Sequence, residues 1–142
     1  MHRVPAILLA AATFAAPALA ADPFEGLPTV DQLPEGVVQV SPLVPAMGEH
    51  WVNPKDWPLG PIYCVIEGRV VCVEYMIAQA ALEAGDSYED LKWPLRTAKL
   101  PPIDHVDVTF MPAGHEGYEI PHYDFHTYFV PKEVLERYRH PS

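Results

Sequence analysis

Ile120-Pro121-His122-Tyr123-Asp124-Phe125-His126-Thr127-Tyr128-Phe129 decides the fold, because aromatic and β-branched residues alternate there with three polar side chains able to bind a metal. Strand side chains point to opposite faces in turn. His122, Asp124 and His126 therefore share one face, and Tyr123, Phe125, Thr127 and Phe129 the other. A helix would align His122 with His126 but would leave Asp124 aside. Polar residues at period two also mark the wetted side of an ordinary antiparallel sheet. The stretch thus has two readings: a solvated face, or the wall of a hydrated or metal-containing cavity.

Geometry limits the second reading. Residues two apart on a strand have Cα atoms about 7 Å apart, and residues four apart about 13 Å. His122 with Asp124, or Asp124 with His126, can share one ion. His122 and His126 cannot do so without a bulge or strong curvature. Further ligands must come from elsewhere, and Ile103-Asp104-His105-Val106-Asp107-Val108-Thr109-Phe110 repeats the alternation, with His105, Asp107 and Thr109 on one face. An antiparallel pair with coincident polar faces is expected, joined through Met111-Pro112-Ala113-Gly114-His115-Glu116-Gly117-Tyr118. Four of the seven histidines (His105, His115, His122 and His126) fall in this region. Imidazole and carboxylate ligands suit Zn, Fe, Cu or Ni, and nothing here selects among them. No HExxH spacing is present.

Val44-Pro45-Ala46-Met47-Gly48-Glu49-His50-Trp51-Val52-Asn53-Pro54 presents His50 just after a turn at Gly48. His50 is the candidate ligand from outside the two His-bearing strands; a loop closed by a packed Trp51 is the bland alternative. Next, Gly60 to Ile66 and Arg69 to Tyr75 flank Glu67-Gly68 and read as a β-hairpin. With Gly68 in a three-residue loop, Cys64 and Cys72 become diagonal neighbours on one face, whereas a strict two-residue turn would put them on opposite faces. Either a disulfide or two buried thiols fits. Met76 to Ala84 is expected as a short helix ended by Gly85, Asp86 to Leu91 as one more turn, and Pro131 to Tyr138 as a closing helix.

Met1-His2-Arg3, an apolar run from Ala6 to Ala16, and Ala18-Leu19-Ala20 before Ala21 read as a secretory signal peptide. The apolar run is too short to span a bilayer, which takes about 20 residues. The expected division is a leader over 1–20, an extended proline-rich arm over 21–44 and a single β-rich domain over 45–142, exported and periplasmic. Proline accounts for 17 of 142 residues, but Phe24, Leu27, Val30, Leu33 and Val37 give the arm more apolar content than a disordered tail carries. Nine basic and 19 acidic residues give a formal charge of −10, which disfavours nucleic acid and anionic membrane as partners. No GxSxG elbow, phosphate-binding glycine loop or internal repeat is present.

The motifs Pro45-Ala46-Met47-Gly48-Glu49-His50-Trp51, Gly60-Pro61-Ile62-Tyr63, Ile103-Asp104-His105-Val106-Asp107, Met111-Pro112-Ala113-Gly114-His115-Glu116 and Pro121-His122-Tyr123-Asp124-Phe125-His126 resemble a bacterial domain family of unknown function. That family was first described from a Thermus protein regulated by an extracytoplasmic sigma factor. The resemblance runs from about Val44 to Val130. It implies a β-rich domain that tends to form homo-oligomers, and no established reaction. The combined expectation is a mainly β (α+β) fold: an antiparallel, strongly curved or barrel-like sheet with two or three short helices. It would bind a transition metal through some of His50, His105, His122, Asp124 and His126. Were it an enzyme, His115 and Glu116 would be the proton carriers and a small molecule the substrate. The competing class is a non-catalytic envelope or stress-response oligomer, or a small-ligand binder, with a structural histidine cluster.

Overall fold

The computed structural model describes residues 21–97 and 99–140; the expected leader lies outside the described residues. Six strands form one antiparallel sheet: β1 (Val38–Gln39), β2 (Glu49–Val52), β3 (Ile62–Ile66), β4 (Arg69–Ala78), β5 (His105–Met111) and β6 (His122–Tyr128). Their spatial order is β1-β2-β3-β4-β6-β5. The two-residue β1 and the strand β5 are its edges, so the sheet is open and no barrel closes among the described residues. Among the described residues, two short helices, α1 (Gln79–Glu83) and α2 (Lys132–Glu136), complete the regular structure, with a 3₁₀ turn at Val30–Gln32.

The central strands β3 and β4 are buried on both faces, which explains their nearly continuous Val, Ile, Cys and Tyr content. Tyr63, Val65, Val73 and Tyr75 join the main core with Phe24, Leu27 and Leu33 from the N-terminal segment and Val130, Val134 and Leu135 from the region of α2. Each such side chain, once removed from water, contributes roughly 1.5–3 kcal/mol. On the opposite face, a smaller cluster of Val52, Ile62 and Met76 lies beside buried Glu74, His122, Asp124 and His126.

The β3–β4 hairpin turns on two residues, Glu67 and Gly68, both with positive φ (50° and 73°), and Ile66 opposes Arg69. The expected three-residue loop is not formed. A bulge at Val71 then shifts the register, so that Val65 opposes Val70 while Cys64 directly opposes Cys72. The extra residue returns the two cysteines to one face, and they are joined as a disulfide with Cα atoms 4.9 Å apart.

Met76, Ile77 and Ala78 differ from their expected helical state. They continue β4 and pair with Asp124, Tyr123 and His122 of β6, so tertiary pairing overrides the helix preference of Met and Ala. The turn expected over Asp86 to Leu91 is likewise absent. Leu91, Trp93 and Leu95, at alternate positions, are drawn against the main core, which requires an extended chain. The coincident polar faces expected of the two His-bearing strands are present, with Asp107 opposite His126 and Thr109 opposite Asp124.

A candidate metal centre on the buried polar face

Cross-strand register builds the centre. His50 on β2 opposes Cys64 on β3, Glu74 on β4 opposes His126 on β6, and Asp124 sits two residues from His126 on the same face. Glu74, His122, Asp124 and His126 are each no more than 3 % exposed. His50 Nε2 lies 3.6 Å from Glu74 Oε2, and His126 Nε2 lies 3.5 Å from Glu74 Oε1. Beside them, His122 Nε2 lies 3.0 Å from Asp124 Oδ1. One ligand atom each from His115, His122 and Asp124 falls within 4.8 Å of the others, and so do those of His50, Cys64 and His126. Cys64 is oxidised in this structure, which leaves Glu74 as the third donor beside His50 and His126.

Hydrogen bonds behind the rings decide which nitrogen faces inward. The Ser41 hydroxyl donates to Pro42 O and accepts from the His50 backbone N–H, so at 3.0 Å from His50 Nδ1 it serves as an acceptor for the ring proton. His50 Nε2 then carries the lone pair. His122 Nδ1–H donates to Ile120 O at 2.7 Å, and His115 Nδ1–H to Glu116 O at 3.2 Å. This pattern, an outer N–H held by an oxygen and an inner basic nitrogen, is the one that orients metal-ligating histidines. His50 Nε2 and His126 Nε2 are buried without a hydrogen-bond partner, and His122 Nε2 and Asp124 Oδ1, buried 3.0 Å apart, find no partner beyond each other, a costly arrangement for polar atoms out of water.

Burial also sets the protonation states. Desolvation, reinforced by Asp124, raises the Glu74 pKa to about 8. Desolvation lowers His50 and His126 to about 4, with neighbouring histidines adding to the effect. Asp124 is raised by desolvation, against the opposing pull of His122 and His115. A cavity of about 690 Å³ opens over this floor, bordered by His50, Glu74, His115 and Asp124 and walled by apolar side chains including Val44, Met47, Trp57, Met76 and Met111.

Four of the five ligands expected from sequence (His50, His122, Asp124 and His126) are gathered here. His105 is not among them. It lies on the edge strand β5 with Nδ1 2.8 Å from Asp104, and its ring stacks at 4.8 Å on Tyr128, whose other neighbour is His126 at 5.4 Å. His115 and Glu116 line the cavity, and His115 stands edge-on to His122 at 4.9 Å. Sequence reasoning missed Glu74. The available signal was a single carboxylate inside Val70-Val71-Cys72-Val73-Glu74-Tyr75-Met76-Ile77, since a charge in a doubly buried strand calls for a partner.

A family model described as TTHB210-like, hypothetical protein TTHB210, matches residues 66–110. The fold is similar to the crystal structure of hypothetical protein TTHB210 from Thermus thermophilus, with a TM-score of 0.58 and 23 % identity over 75 % of this chain and 96 % of that one. No curated protein matches the chain. The similarity extends to the fold and names no activity.

Proposed function

We propose that the protein binds first-row transition-metal ions on the buried face of its sheet. One position would be formed by His50, Glu74 and His126, and an adjoining one by His115, His122 and Asp124. The observation that carries this reading is the pair of buried, partnerless ring nitrogens of His50 and His126 on either side of the Glu74 carboxylate, beside buried His122 and Asp124, with outer hydrogen bonds that leave the inward nitrogens of His50 and His122 basic. Two imidazoles and one carboxylate at each position suit Zn, Fe or Cu, and leave coordination sites toward the cavity for water or a small ligand. The 3.0 Å approach of His122 to Asp124 favours a second reading for that half alone, a buried hydrogen-bonded pair.

Export belongs to the same proposal, since Ala18-Leu19-Ala20 would place the mature start at Ala21. Elemental analysis of tag-free protein, isolated from its own compartment without chelators, tests the metal. A stoichiometric first-row metal that is lost in His126→Ala is expected. Metal-free protein that also fails to take up added Zn(II) would leave the histidines as a structural cluster.

A further inference from the structure

Cys64 belongs to the inner face of this centre as well as to the disulfide. Register places it between His50 on β2 and Cys72 on β4, and it is fully buried. Its sulfur and one ring nitrogen each of His50 and His126 lie within 4.8 Å of one another. That spread suits three donors around one ion, whose bonds would be about 2.0–2.3 Å long. His126 Nε2 is buried without a hydrogen-bond partner. A disulfide sulfur is a poor ligand and a thiolate a strong one. Cys72, although bonded to Cys64, does not join any such group among the described residues.

We infer that Cys64 is a metal ligand of the reduced protein, so that the Cys64–Cys72 bridge sets whether the His50/His126 position has sulfur in its donor set. The inference rests on the metal-binding reading above. In reduction by a dithiol, a reductant thiolate attacks Cys72 Sγ, the S–S bond breaks, and its electron pair leaves on Cys64 as thiolate. The second reductant thiol then displaces Cys72 and closes a cyclic disulfide. Two electrons pass to the protein; of the two thiol protons, one ends on Cys72 and one goes to solvent while Cys64 binds the ion. The oxidised form offers nitrogen and oxygen donors, and the reduced form adds a soft donor that favours Zn(II) and Cu(I).

Anaerobic Co(II) titration of the tag-free chain reads this directly, because thiolate coordination adds an intense near-ultraviolet charge-transfer band to the weak visible bands of bound Co(II). The comparison takes the oxidised parent, the parent reduced with a trialkylphosphine that is then removed, Cys72→Ser and Cys64→Ser. The band is expected in Cys72→Ser and in the reduced parent, with Zn(II) competing for the site about tenfold or more tightly than in the oxidised parent. It should be absent from the oxidised parent and from Cys64→Ser. The reduced parent keeps the test intact if Cys72→Ser does not fold. Bound Co(II) without the band in either thiol-containing form, or an equal band in Cys64→Ser, overturns the inference and leaves the metal site standing. No Co(II) bound by any form overturns the proposed function, and this inference with it.

Discussion

In the metal-free chain, burial holds Glu74 protonated up to about pH 8 and keeps His50 and His126 neutral down to about 4. Between the ordinary carboxylate pKa and 8, the unfolded chain loses the Glu74 proton while the folded chain retains it, so stability falls as pH rises through that window. For the two histidines the unfolded chain gains protons below about 6.5 that the folded chain refuses, so stability falls as pH drops toward 4. No pH relieves both, and a metal cation would relieve both at once by taking the carboxylate and the neutral imidazoles as ligands. Glu74→Gln should therefore weaken Zn(II) binding by tenfold or more while making the metal-free protein more stable than the parent at pH 8 to 9; loss of an outer partner behind a ligand already costs roughly 10–100-fold in metal affinity, and loss of a direct ligand should cost no less. Isothermal titration and urea unfolding at two pH values check the pair of effects. Unchanged Zn(II) affinity would remove Glu74 from the ligand set. His105→Ala, beyond the Tyr128 ring, should leave Zn(II) affinity as it is, and a loss there would mean that the centre extends to the edge strand.

At the level of elements, the alternation in His122–Tyr128 and His105–Met111 was legible because one face of each strand is polar and the other apolar, and the pattern carries the β5–β6 register with it. The hairpin was legible from Glu67-Gly68, but its bulge was not. Whether a two-residue turn is followed by an extra residue depends on what the second strand must pair with beyond the turn, here β6, and neither Val70 nor Val71 carries that information. Glu74 escaped for the same reason, since its partners His50 and His126 arrive from β2 and β6. The placement of His50 depends on Gly48, where φ is 97° and an added Cβ would stand 2.5 Å from Val65 O. Gly48→Ala should therefore push β2 away from β3 and cost roughly 2 kcal/mol, measured as a lower urea midpoint, with weakened Zn(II) binding through His50. A stable Gly48→Ala protein with normal Zn(II) affinity would show that β2 does not depend on this close approach.

Across the whole molecule, the three donors His50, Glu74 and His126 belong to β2, β4 and β6, which are separated along the chain by the hairpin and by the long connection through β5. An ion held by all three would tie three interior strands of the sheet, distant in sequence, together in the folded state, and the unfolded chain has no comparable site. Binding to the native state alone adds RT ln(1 + [L]/Kd), about 2.7 kcal/mol at a hundredfold excess over Kd. For a domain of roughly 120 residues, that is worth about 10 °C or somewhat more in midpoint. The midpoint of the tag-free chain should therefore rise with added Zn(II), continue to rise with the logarithm of free metal, and return to the metal-free value when a chelator is added. His126→Ala should lose most of the rise, because it removes a ligand whose ring is buried against Glu74. A Zn(II) shift of equal size in His126→Ala would place the binding elsewhere, on the acidic surface that a net charge of −10 provides, and the buried polar face would then be a hydrogen-bonded feature of the fold.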